Sequence, residues 1–297
     1  MLLNTSEINI RDPFILTENE SGYYYMYGTT DKTCWRGPGV GFDCYRSRDL
    51  NEWEGPFPAF RRPEDFWGTQ NFWAPEVHKY RGRYYMLATF KAKNRFRGTQ
   101  ILVADGPEGP FKPLSAEPAT PNHWECLDGT LFIDDDDHPW LVYCHEWLQV
   151  HDGGMYAVRL SEDLTETVGN QICLFNASEA PWSRRCDQFM FWRRYPCYIT
   201  DGPFLYRTSA GELLMLWSSN SEQGYAMGVA RSRSGTIVGP WVQDEKPIWE
   251  KDGGHGMIFH DLNDHLQLTF HCPNTPKKER AAFFALEDTG DSIRLKR

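Results

Sequence analysis

The chain has 297 residues, 40% of them hydrophobic and 24% charged, an ordinary globular composition. A formal net charge of −10 opposes any phosphate backbone, so nucleic acid is not an expected partner. No run of about eighteen apolar residues is present, so no membrane-spanning helix is expected either.

Read from the N-terminus, the chain repeats itself. A short strand at Asp12–Leu16 is followed by a turn and an aromatic strand at Gly22–Gly28. The same pair returns as Ala74–His78 with Gly82–Ala88, and as Asp128–Phe132 with His138–Cys144. It returns again as Asp201–Leu205 with Gly211–Trp217, and as His255–Phe259 with His265–His271. A third strand follows several of the pairs, as in Thr99–Ala104, Met155–Arg159 and Tyr225–Ala230. Gly-Pro with an aromatic closes three units, at Gly55–Phe57, Gly109–Phe111 and Gly239–Trp241. Recurrence every 55–75 residues or so, with no helical periodicity, predicts an all-β, five-bladed β-propeller. The blades are four-stranded and antiparallel around a central channel. One propeller domain over residues 1–297 is expected, with blades starting near 12, 74, 128, 201 and 255. A β-sandwich does not predict fivefold recurrence, and a β-helix repeats over a far shorter period.

Two segments interrupt the rhythm. Asp134–Asp137 reads as a tight polar turn rather than a calcium loop. The stretch from Asn176 to Tyr198 carries Trp182, Arg184, Arg185, Trp192, Arg193 and Arg194, and reads as a long loop able to cover a site. The eight cysteines are scattered, with no Cys-x-x-Cys pair, and the first ten residues lack a signal-peptide pattern. A reducing, cytoplasmic setting is therefore expected.

In a propeller the inner strands converge on one mouth of the channel. Aligning their starts places Asp12, Ala74, Asp128, Asp201 and His255 together. Carboxylates crowded in one pocket push their pKa values apart, which acid–base catalysis requires. Asp-Pro and Asp-Gly are also ordinary turn signals, but Ala74 and His255 in the same slot show that the blade does not demand Asp there. Glu146, at the end of the second strand of the third blade, returns to the same mouth, and Glu76 is a further acidic candidate. Trp35, Trp73, Trp124 and Trp147 lie near strand ends on that side and suit stacking on sugar rings.

The ordered set Arg11-Asp-Pro-Phe-Ile15, Trp73-Ala-Pro-Glu-Val77, Asp128–Ile133, Thr200-Asp-Gly-Pro-Phe-Leu205 and Gly253–Met257 resembles glycoside hydrolase family 43 along essentially the whole chain. The resemblance implies a five-bladed propeller and inverting hydrolysis of pentose-type sugars by α-L-arabinofuranosidase, arabinanase or β-xylosidase chemistry. It also implies Asp12 as the base that activates water and Asp128 as a carboxylate that tunes the acid. It places His255 where many members touch a central calcium, so His255 is the candidate metal ligand as well as a substrate contact. The family acid is a Glu in a Glu-Gly-Pro context, and this chain has Asp201 there. Glu146 is therefore preferred as proton donor, with Asp201 binding sugar or tuning the donor. Trp35, Trp73, Glu76, Trp147 and Arg194 complete the expected substrate contacts. The expected partner is a short oligosaccharide, cleaved from its end. The alternatives are a sugar-binding propeller without catalysis and, on the Trp124-Glu-Cys126 sequence alone, a fructoside-cleaving enzyme similar to family 32.

Overall fold

A computed structural model describes residues 1–190 and 193–296. Five antiparallel sheets succeed one another along the chain. Their inner strands are Arg11–Glu18, Gln70–Tyr80, Cys126–Ile133, Asp201–Arg207 and Gly254–His260. Each pairs with the next strand in sequence, and each sheet runs outward in chain order. Local pairing of this kind needs only short turns, such as Asp134–Asp137, where Asp137 N–H donates to the Asp134 carbonyl at 3.0 Å. No helix is long and apolar enough to cross a membrane.

The first sheet has a fifth strand. Leu2–Asn4 pairs antiparallel with the outer strand Glu52–Arg61. The chain then passes along the fifth blade, where Ile10 N–H donates to the Glu279 carbonyl at 3.2 Å and Arg280 Nε to the Ser6 carbonyl at 2.6 Å. These bonds, with Thr17 Oγ1 donating to the His260 carbonyl at 2.7 Å, close the ring between the last blade and the first.

The faces between blades are filled with aromatic side chains. Phe42, Phe60, Phe72 and Phe90 are fully buried between the first two blades, with the Phe72 and Phe90 rings 4.7 Å apart. Trp217 and Tyr143 fill equivalent space further round. Burying a large apolar side chain contributes about 1.5–3 kcal/mol, so these layers hold the blades face to face.

The stretch expected to be a long loop is largely ordered into regular structure. The outer strand of the third blade runs to Asn176, and Cys186–Met190 and Arg193–Cys197 form a hairpin. Trp182 anchors the segment between them. Its ring lies 4.8 Å from that of Trp217, against Gly228, where a Cβ would come within 2.2 Å of the indole. Trp192 and the side chain of Arg193 lie outside the described residues. Cys186 and Cys197 are paired across the hairpin, with Sγ atoms 3.2 Å apart.

Candidate active site

Every inner strand carries a bulge just inside the channel mouth. The residue that opens it has left-handed backbone: Asp12 (φ 52°), Ala74 (45°), Asp128 (54°), Gly202 (53°) and His255 (54°). Pairing resumes beyond each bulge, at Phe14, Glu76, Thr130, Phe204 and Met257. This corrects the sequence register in the fourth blade by one residue. Gly202, not Asp201, occupies the slot of Asp12 and Asp128, and Asp201 pairs with Ser218 in the preceding slot, where the first blade has Arg11 and the second Trp73. Pro13, Pro75 and Pro203 follow the slot in three blades and mark the true register. Glycine suits the fourth blade because a Cβ on Gly202 would lie 2.7 Å from the His255 ring.

The bulges are pinned from blade to blade. Thr29 Oγ1 accepts from Ala74 N–H, Thr89 Oγ1 from Asp128 N–H and Ser218 Oγ from His255 N–H, each at 2.8 Å. His271 Nδ1 accepts from Asp12 N–H at 3.2 Å. In the third blade the equivalent residue is Cys144, and Gly202 N–H turns instead to Asp128 Oδ2 at 3.2 Å. A non-glycine residue in this conformation costs about 1–3 kcal/mol, and the side chain of the preceding blade fixes it there.

The slot residues meet at the channel. His255 Nδ1 lies 3.2 Å from Asp12 Oδ1 and 3.6 Å from Asp128 Oδ2. Asp12 Oδ2 accepts from Thr29 Oγ1 at 2.8 Å, and Arg11 Nε lies 3.9 Å from Oδ1. Burial works against ionisation of Asp12, but His255, Arg11 and His271, whose Nδ1 lies 3.3 Å from Oδ1, hold it far below the usual carboxylate range. Burial also lowers His255 against the opposing pull of Asp12, while Arg11 is raised, against burial, by Asp12, Tyr225 and Glu279. Asp128 is pushed well above its ordinary value by burial and by the nearby Asp201 and Asp12. Burial pushes Asp201 up to about 7, against the Tyr225 hydroxyl, which donates to Oδ2 at 3.1 Å.

Glu146 stands at the same mouth, ending the second strand of the third blade and capping a four-residue helix, Trp147–Val150. It is buried in a close ion pair with Arg97. Burial raises Glu146, Arg97 lowers it and Glu125 raises it, with a net displacement upward. Glu125 in turn pairs with Lys91 and accepts from Arg97 N–H at 2.8 Å. Glu125 thus belongs to a buried network behind Glu146 and does not line the cavity, leaving the resemblance to family 32 without a catalytic carboxylate.

These groups line one cavity of about 340 Å³, a size typical of small-molecule sites. Asp12, Asp128, Glu146, Asp201, His255, Trp35, Trp73 and Trp147 all reach it. Trp35 and Trp73 form one wall, with ring centroids 5.3 Å apart and Trp73 Nε1 donating to the Cys34 carbonyl at 2.7 Å. Arg11 lies 5.0 Å over Trp35, and Arg97 lies 4.3 Å over Trp73. Three expected contacts fall elsewhere. Glu76 is buried against His78 Nε2 at 3.0 Å, Arg194 is exposed and paired with Asp187, and Trp124 stacks on His145 at 4.3 Å. Side-chain direction decides Glu76, since adjacent strand residues face opposite sides of a blade, whereas Arg194 lies on the hairpin and Trp124 precedes the strand Cys126–Ile133. Sequence reasoning missed Arg11 and Arg97 as cavity residues. Arg11 was detectable as the neighbour of Asp12 in a paired slot, whereas Arg97 carries no local motif.

The channel calcium expected at His255 would meet one imidazole nitrogen, already facing two carboxylates. Among the described residues, the His, Cys, Asp or Glu ligand atoms that come in threes within 4.8 Å belong to Asp134, Asp136 and His138, in the turn at the other end of the third blade's inner strand. A calcium beside His255 would thus be held mainly through water.

The family model for glycosyl hydrolases family 43 matches residues 5–287. An endo-arabinase from Bacteroides thetaiotaomicron VPI-5482, solved by crystallography, is 41% identical with a TM-score of 0.89, covering 96% of each chain. An extracellular endo-α-(1→5)-L-arabinanase of Bacillus subtilis (strain 168) is 24% identical over 148 residues, 46% of this chain and 44% of that protein. A xylosidase/arabinosidase 43A of Humicola insolens is 30% identical over 81 residues, 27% of this chain and 24% of that protein. The chain thus matches less than half the length of these two relatives.

Proposed function

The chain belongs to family 43 of the glycosyl hydrolases, and from that premise we propose that it hydrolyses α-L-arabinofuranosyl linkages in oligosaccharides, with inversion at the anomeric carbon. The observation that carries this reading is the convergence of Asp12, Asp128, Asp201 and Glu146 on one cavity in unequal electrostatic surroundings. Asp12 is held ionised, while Asp128, Asp201 and Glu146 are all displaced upward. One base and one acid of opposite protonation are what glycoside hydrolysis requires at neutral pH. Asp12 takes a proton from water, whose oxygen attacks the anomeric carbon. Glu146 delivers its proton to the departing glycosidic oxygen, and Asp128, whose own carboxyl is raised by burial and by Asp201 and Asp12, is coupled to those two carboxyl groups. Thr29 and Arg11 orient and hold the base, and Trp35, Trp73 and Trp147 form apolar walls for the sugar ring.

Arabinofuranose is favoured over xylose by the likeness to the B. thetaiotaomicron endo-arabinase along nearly the full chain. We favour internal cleavage over removal of terminal units, because the catalytic cavity shares residues with neighbouring cavities on two sides. It shares Trp35 and Arg11 with one and Arg97 with the other. A second reading makes Asp201 the donor, since it stands in the family's acid position and is pushed up to about 7.

The test is a substrate panel of aryl α-L-arabinofuranoside, aryl β-D-xyloside, aryl galactofuranoside and linear arabino-oligosaccharides. Linear arabino-oligosaccharides should be cleaved, with short oligosaccharides as first products and at least about a hundredfold loss of kcat in Asp12→Asn. Binding without turnover on every member would instead leave a sugar-binding propeller.

A further inference from the structure

The bulge that carries the base is pinned differently from the others. Thr29, Thr89 and Ser218 each accept a peptide N–H of the next blade with a hydroxyl oxygen. At the same strand position His271 accepts from Asp12 N–H with Nδ1. A hydroxyl keeps a lone pair whichever way its own proton turns. A neutral imidazole accepts at Nδ1 only while its proton sits on Nε2. The pin of the first blade therefore needs a partner that holds the proton at Nε2.

That partner is Asn274. His271 is fully buried, its ring stacked on Tyr225 at 5.7 Å, and its Nε2 lies 3.2 Å from Asn274 Oδ1. Asn274 sits between the strands Leu266–Cys272 and Arg280–Asp288 of the fifth blade, where its own N–H donates to the Asp252 carbonyl at 3.0 Å. The two ends of an amide have the same shape, so its other neighbours decide which way it points. Arg11 Nη1 lies 2.6 Å from the same Oδ1, and a guanidinium can only donate. The amide thus turns its oxygen to Arg11, and the second lone pair of that oxygen faces His271 Nε2, which must be a donor. A further proton on Nδ1 would face Asp12 Oδ1 at 3.3 Å, so the ring stays on Asp12 in either charge state.

We propose that Asn274 is a positioning residue for the base: by accepting from Arg11 and His271 together, it keeps a proton on His271 Nε2 and leaves Nδ1 to hold Asp12. Asn274 does not line the catalytic cavity and acts only through these two neighbours. The inference rests on the role given to Asp12 above and adds the relay that sets its place.

The test joins a spectroscopic readout to kinetics. Nitrogen NMR of the histidine rings, with His271 assigned through His271→Gln, is recorded for the wild type, Asn274→Leu and Asn274→Asp. Asn274→Leu removes the acceptor at similar size, whereas Asn274→Asp keeps an acceptor for both donors. The wild type should carry a proton on His271 Nε2. Asn274→Leu should lose that fixed pattern, and its kcat on arabino-oligosaccharides should fall about tenfold or more with KM within about twofold, as for loss of an orienting partner. Asn274→Asp should restore the Nε2 proton and most of kcat. A wild-type His271 protonated on Nδ1 alone overturns the proposal. So does an Nε2 proton that persists in Asn274→Leu with kcat unchanged, or an Asn274→Asp variant as impaired as Asn274→Leu. Should Asn274→Leu fail to fold, the wild type and Asn274→Asp give the decision. If the wild type cleaves no arabinoside, the glycosidase reading fails, and the ring-nitrogen pattern alone then decides the relay.

Discussion

Glu146 and Asp201 divide one role between two imperfect candidates. Glu146 has the longer side chain but is paired with Arg97, and Asp201 stands in the family's acid position with one methylene fewer. Their leaving-group dependence separates them, because an activated aryl leaving group scarcely needs a proton. Glu146→Gln should lose far more activity on arabino-oligosaccharides than on a nitrophenyl arabinoside, whereas Asp201→Asn should affect both alike. The reverse pattern would transfer the acid to Asp201. Asp201 also bears on stability. Its pKa is raised to about 7 in the fold, so the stability associated with its bound proton is present in acid and is lost as pH rises through that value. Asp201→Asn, which removes the buried charge, should raise Tm more at pH 8 than at pH 5, by a few degrees in a scanning calorimeter. An equal shift at both pH values would contradict the raised pKa. Asp12, Asp128 and His255 were legible in the sequence because each opens a repeat. Asp201 was misplaced by one residue because an aspartate was aligned with aspartates, while the backbone aligns Gly202, ahead of Pro203, with the residues ahead of Pro13 and Pro75.

The inner strand with its bulge is the working element of each blade, and its geometry depends on the blade before it. Thr89, on the second strand of the second blade, accepts the Asp128 N–H at 2.8 Å and so fixes a carboxylate it does not touch. Thr89→Val preserves the shape but leaves that buried N–H without its acceptor, at a cost of about 1–3 kcal/mol. A fall in denaturation midpoint with unchanged m-value, together with a weakened kcat on arabinoside, is expected. Loss of stability with full activity would mean that the bulge holds its shape without the hydroxyl. This relay was invisible in the sequence, since Thr29, Thr89, Ser218 and His271 share a strand position but no common residue type. The hairpin strands Cys186–Met190 and Arg193–Cys197 were likewise unreadable. They fall outside the repeat, and the end of the hairpin is tied to the third blade by Tyr198 N–H donating to the His151 carbonyl at 2.9 Å, a pairing between distant segments.

At the scale of the whole molecule, five similar units arranged in a ring bring groups far apart in sequence to one mouth. The repeat made this legible, because each blade announces itself with an aromatic second strand. The outer strands were not, being as short as Lys112–Pro113 in one blade and ten residues in another. The stereochemistry of the proposed reaction depends on how the ring spaces its carboxyl groups. Asp12 sits on the first blade and Glu146 at the end of a strand of the third, so base and acid approach the channel mouth from different blades. A base that acts through water needs carboxyl groups roughly 6.5–9.5 Å apart, whereas a direct nucleophile needs about 5–5.5 Å. Asp12 is held by Thr29 and His255 at the inner-strand bulge, and the proposed reaction has it activate water rather than attack the sugar. Proton NMR of the first product, recorded before mutarotation, should therefore show the anomer opposite to that of the substrate. A retained anomer would require a covalent glycosyl–enzyme intermediate and would make Asp12 a nucleophile, contrary to the role derived from its surroundings.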